Sequence, residues 1–133
     1  MPVIFYDNTI AKIISSNVNM IGLVNMALTN NPGNQTNSVI GDITIATNTI
    51  GVRVTNPVLT YSAGNIIWSG DAATVTATGA AYAANAVFYA DVAPRNLIAH
   101  YVLANANYLA LNDTFTVFCN QGIANIGDLN NFA

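Results

Sequence analysis

The stretch at residues 86–102, AVFYADVAPRNLIAHYV, constrains the fold more than any other part of the chain. Two apolar runs, residues 86–90 and 97–102, flank a polar hinge, Asp91-Val92-Ala93-Pro94-Arg95-Asn96. In the first run both alternating sets are apolar, Ala86, Phe88 and Ala90 on one side and Val87 and Tyr89 on the other. Successive side chains of a strand point to opposite faces, so a strand of this kind needs cover on both. Pro94 falls in the hinge, where its missing N–H breaks no ladder bond. The stretch predicts a β-hairpin at the centre of an antiparallel sheet, with Asp91 and Arg95 belonging to its turn.

The flanking sequence carries the same period. Val18, Met20, Gly22, Val24, Met26 and Leu28 form one set and Asn17, Asn19, Ile21, Leu23, Asn25 and Ala27 the other, which predicts a half-buried strand. Residues 29–38 (TNNPGNQTNS) read as a loop turning at Pro32-Gly33. Residues 39–46 and 49–55 suggest a hairpin around Thr47-Asn48, and 58–61 with 65–69 a second around Ser62-Ala63-Gly64. Ala73, Val75 and Ala77 alternate with Thr74, Thr76 and Thr78, giving a strand with a threonine face. Residues 103–112 read equally as strand or loop, 114–119 as a strand, and 123–126 as a last short one. Before all of these, Asp7-Asn8-Thr9 offers a helix N-cap, and Ile10, Ile13 and Ile14 supply one apolar stripe.

These elements predict an all-β fold: one domain over residues 1–133, an antiparallel β-sandwich of seven to nine short strands with one short N-terminal helix, or failing that a β-barrel. Residues 1–7 are a candidate N-terminal arm. Its Val3, Ile4, Phe5 and Tyr6 are costly to leave in water, at roughly 1.5–3 kcal/mol for each large side chain. They are therefore the candidate assembly contacts, docking on the chain's own domain or on a neighbour.

Composition narrows the partners. Charged residues make up 7% of the chain, against about 25% in an average soluble domain. The basic residues are Lys12, Arg53 and Arg95, glutamate is absent, and the formal net charge is −3. Binding nucleic acid takes several clustered cations, so no nucleic-acid partner is expected. The surface must be coated with neutral Asn and Thr or covered by other subunits, and the second favours a component of an assembly. No basic n-region with a long apolar core opens the chain, so no signal peptide is expected. The longest apolar stretch, residues 79–90, is too short to span a bilayer and contains Asn85, so no membrane partner is expected either.

Little in the sequence suggests catalysis, and no enzyme is expected. His100 is the one histidine and sits within an apolar run; Cys119 has no partner for a disulfide and reads as a small hydrophobe. The six aspartates mostly fall at turns, where they bond backbone. No metal-ligand spacing, nucleophile elbow or phosphate loop is present, and no cofactor is expected. Trp68, Tyr82, Tyr89, Tyr101 and Tyr108 offer stacking surfaces for sugars, which keeps a carbohydrate-binding β-sandwich module as an alternative.

The order of the strand motifs resembles that of small virion proteins of tailed bacteriophages. The likeness runs through residues 18–28, Leu59-Thr60-Tyr61 with Ile67-Trp68-Ser69, Ala81-Tyr82 and Val87-Phe88-Tyr89. It continues through Leu97-Ile98-Ala99-His100-Tyr101-Val102, Asn112-Asp113-Thr114-Phe115-Thr116-Val117 and Gly122-Ile123. The resemblance implies a structural virion role, a head decoration (cement) protein or else a neck or tail protein, and carries no catalytic residue. A decoration protein would be made in the host cytoplasm and end on the capsid surface. Its partners would be the major capsid protein and copies of itself, in a trimer.

Overall fold

The hairpin forms and stands at the centre of the largest sheet. The computed structural model describes residues 3–5, 23–34, 36–56, 58–62, 65–92, 94–118 and 124–128, with backbone alone at 3–5, 58–62, 65–68, 104–106, 118 and 124–128. The strands are β1 (Val3–Phe5), β2 (Val24–Thr29), β3 (Val52–Arg53), β4 (Val58–Ser62) and β5 (Asn65–Ser69), followed by β6 (Ala72–Thr76), β7 (Ala81–Ala90), β8 (Leu97–Leu109), β9 (Thr114–Phe118) and β10 (Ala124–Asp128). They form an antiparallel β-sandwich. A five-stranded sheet has the order β1-β8-β7-β2-β3, a three-stranded sheet β10-β5-β4, and a two-stranded sheet β6-β9.

Burial follows the alternation read in the hairpin. In β7 every residue from Asn85 to Ala90 is buried, because the sheet is covered on both faces. On one face Val24, Met26, Leu28, Ala86, Phe88, Ala90 and Tyr101 pack with Ala73 and Val75 of β6 and with Phe115 and Val117 of β9. The β6–β9 ribbon is thus the second layer over this face. Phe88 meets Tyr101 edge-on, with ring centroids 5.4 Å apart. On the other face Ala27, Val87, Tyr89 and Leu97 are covered by Ile43, with Ile40 and Ile45 packed around it. Each fully buried large side chain contributes about 1.5–3 kcal/mol.

Several expectations are met. β4 and β5 pair with Ser62 opposite Asn65, leaving the turn read in the sequence between them. Ala73, Val75 and Ala77 are buried, while Thr74, Thr76 and Thr78 are exposed. β6 pairs with β9, and the Thr74 and Thr116 hydroxyls lie 2.8 Å apart across the pair. The ambiguous stretch after the hairpin continues β8 to Leu109, opposite Ala81. Ten strands are described, more than the seven to nine expected, and the leader itself supplies β1.

Two expectations are corrected. Where it is described, β2 is not half-buried: Asn25 and Ala27 are covered along with Val24, Met26 and Leu28, and the strand runs on through a covered Thr29, which the sequence places at the start of the loop. Asn25 and Thr29 survive burial because they are bonded. The Thr29 hydroxyl lies 2.6 Å from the Thr44 carbonyl oxygen, and Asn25 holds Tyr89 and Arg53. Second, 39–46 and 49–55 are not a hairpin. The turn at Thr47-Asn48 is real, with Asn48 at φ 63°, but its arms find other partners. A single 3-10 turn occupies Ile40–Asp42. The Ile40 N–H donates to the Arg95 carbonyl, Ala46 N–H to Leu28, and Val54 N–H to Val24. The apolar face of β2 and β7 outcompetes local pairing for Ile40, Ile43 and Ile45. The helix expected after Asp7 lies outside the described residues.

Candidate functional site around the hairpin hinge and the N-terminal strand

The candidate assembly contacts fall on a sheet edge. Val3, Ile4 and Phe5 form β1, an edge of the five-stranded sheet, placed opposite Tyr101, His100 and Ala99 of the same chain. Tyr6 lies outside the described residues. Of the two docking modes open in the sequence, the backbone here shows pairing within the chain.

His100 is buried beside the register positions of Ile4 and Val87. Burial holds its imidazole below the ordinary pKa of 6.5, since the apolar surroundings disfavour the charged form. Cys119 lies outside the described residues. Among the described residues no three His, Cys, Asp or Glu side chains gather as a metal site. No described helix is long and apolar enough to cross a membrane.

The aspartates divide into two kinds. Asp42 accepts from the Ser38 and Val39 backbone N–H groups at 3.0 and 3.3 Å, and Asp113 from Ala110 N–H at 2.8 Å. Asp71 accepts from the Asn56 amide at 2.7 Å, beside the Asp71 N–H to Thr55 bond that closes the base of the β4–β5 hairpin. These three hold turns and loop stems. Asp91 does something else. Its Oδ2 accepts from Arg53 Nη2 at 2.9 Å and its Oδ1 from Arg95 Nε at 3.3 Å. Arg53 Nε donates to Asn25 Oδ1 at 2.8 Å, and Asn25 Nδ2 donates to the Tyr89 hydroxyl at 3.3 Å. A polar chain therefore runs from the hinge surface into the second core face. Arg95 belongs to the turn, as the sequence suggests. Arg53 comes from β3, which local sequence spacing does not bring to the hinge.

The aromatic residues separate by depth. Tyr89 and Tyr101 are buried in the core. Tyr82 and Tyr108 pair across β7 and β8 with centroids 4.6 Å apart and planes inclined by 48°, and Tyr108 is 80% exposed. A sugar ring stacks on a flat aromatic face, which this inclined pair does not extend. The Trp68 side chain lies outside the described residues.

Compared with protein-family models, with curated proteins and with solved structures, the chain matches none.

Proposed function

We propose that this chain is a structural protein of a tailed-phage virion, a capsid decoration (cement) protein and not an enzyme. It binds and stabilises the lattice of the major capsid protein and associates with copies of itself as a trimer. The supporting observation is the ordered set of strand motifs, four of which fall on paired strands among the described residues. Val87-Phe88-Tyr89 lies on β7, the run at 97–102 on β8, the Trp68 segment on β5, and Thr114 to Val117 on β9. The sparse charge and the exposed Thr74 and Thr116 ladder suit a neutral surface shared among repeated copies. Many weak contacts replicated by symmetry hold such a component without one tight site. A neck or tail position would use the same surfaces. Of the aromatics behind the carbohydrate-binding alternative, Tyr89 and Tyr101 are buried and the Tyr82–Tyr108 pair is inclined, which counts against it.

The test is quantitative protein analysis of purified virions. The chain is expected in copy number comparable with the major capsid protein. Absence from particles, or a few copies per particle, overturns the decoration reading.

A further inference from the structure

We propose that the hairpin hinge is a protein-contact site in which Arg53 and Arg95 receive a carboxylate from a partner's acidic side chain. The proposal does not depend on which assembly the chain joins. Two of only three cations in the 133-residue chain converge on one carboxylate, Asp91. One arginine would suffice to pin the hinge to β3, and the second leaves the cluster with an excess positive charge.

Arg95 also sits at a conformational cost. Its φ is 63°, in the left-handed region, and the other described non-glycine residues there are Asn48, Asn56 and Asn112. Asparagine tolerates that region, whereas a long side chain gains nothing from it. An arginine at a backbone position suited to asparagine gives up stability, as residues placed for contact do.

The donors are available. Arg95 engages Asp91 through Nε alone, and Arg53 uses Nε for Asn25 and Nη2 for Asp91. Among the described residues no hydrogen bond or ion pair engages the Arg95 Nη groups or Arg53 Nη1, and the two side chains are 62% and 45% exposed. Asp91 fixes one edge of each guanidinium and so orients the remaining N–H groups before a partner arrives.

The surroundings favour a protein over a small ion. Leu23 and Val92 are exposed at 41% and 47% beside the cluster, where Asp91 N–H donates to the Leu23 carbonyl. Apolar residues flanking arginines are the composition of a contact surface. The single excess charge matches a carboxylate better than a doubly charged phosphate group.

The test uses the full chain labelled with 15N. Arg53 and Arg95 are its two arginines, so two Nε–H signals report the site. Sodium acetate is titrated at constant ionic strength against sodium chloride, then sodium phosphate in the same way. Both Nε signals are expected to shift saturably with acetate. Arg95→Asn is expected to weaken that response about tenfold, the loss of a charge-assisted pair, while its melting temperature stays level or rises. Shifts no larger than those in chloride overturn the site. Tighter binding of phosphate than of acetate overturns the carboxylate assignment in favour of a phosphate-bearing partner. A lower melting temperature with an unchanged acetate response makes Arg95 a structural staple and overturns the proposal.

Discussion

Replacing Gly51 by alanine tests the packing behind the hinge with one methyl group. Gly51 precedes β3, and a Cβ built there overlaps the Tyr89 hydroxyl oxygen and falls 3.1 Å from the ring carbon that carries it. The backbone is not in the left-handed region, so alanine brings no conformational strain and its whole effect is steric. Tyr89 cannot swing aside freely. It is 6% exposed, packed among Ala27, Val87 and Leu97, and its hydroxyl accepts from Asn25 at 3.3 Å. Overpacking costs about 1–3 kcal/mol and the displaced hydrogen bond about 1 kcal/mol. Gly51→Ala should therefore destabilise the fold by about 2–4 kcal/mol, a fall in Tm on the order of 10 °C. Tyr89→Phe removes the overlapping atom and alone costs about 1 kcal/mol. The double variant should lose at least ~1 kcal/mol less than the sum of the singles. Gly41→Ala is the control, since nothing lies within 4 Å of its added Cβ, and it should change stability by less than ~0.5 kcal/mol or raise it slightly. Urea unfolding followed by far-UV circular dichroism measures all four. Wild-type stability in Gly51→Ala, or strict additivity in the double variant, would refute the reasoning.

Three further outcomes are expected. Deleting residues 1–6 removes β1 and bares the β8 edge at Ala99 to Tyr101; it should weaken self-association in sedimentation more than it lowers the urea midpoint, and unchanged association refutes the arm as an assembly contact. The folded pKa of His100 lies below 6.5, so in the window between the two values the unfolded chain binds more protons. Stability is then complete above pH 6.5 and declines as pH falls through that window; His100→Gln should flatten this slope of the urea midpoint, and an identical slope counts against it. Asn48 combines φ 63° with an amide bond to the Ala80 carbonyl at 2.8 Å. Asn48→Ala should cost about 2 kcal/mol and Asn48→Gly about 1 kcal/mol, and equal losses in thermal unfolding would remove the backbone contribution.

Strands with a clean alternation and a short turn are legible in the amino-acid order itself. Residues 73–77 and 114–117 sort their apolar and polar members by face, 86–90 and 97–102 are apolar on both faces and so ask for cover on both, and the short turn between 62 and 65 admits little but a hairpin. The segment at 39–46 is not legible in that way. The spacing of Ile40, Ile43 and Ile45 suits a strand as well as an irregular cover, and only the presence of Ala27 and Val87 beneath them decides. Asn25 resembles an outer-face residue and Thr29 a loop residue because sequence pattern reports polarity, not whether hydrogen-bond partners wait inside. The extension of β8 rests on pairing with Ala81 to Ala83, which Asn and Ala residues do not announce. At the hinge, Asp91 and Arg95 are four residues apart and their pairing is local. Arg53 is 38 residues from Asp91 and is placed only by the sheet order. Gly51 does carry a signal, because glycine between Ile50 and Val52, just before β3, marks a close approach to the backbone.

The central position of β7 also sets a schedule. Its hairpin partner β8 follows at once in the chain, but its other neighbour, β2, is made long before, with Asn25 and Tyr89 separated by 64 positions. β6 likewise waits for β9, with Thr74 and Thr116 separated by 42. At about 5–20 residues per second, β2 therefore leaves the ribosome seconds before the strand that will cover it. Closing such long loops slows folding. On that side β2 must stay unpaired until β7 is made, and β1 and β6 until β8 and β9 are, and crowding by identical nascent copies is the hazard this strand order creates.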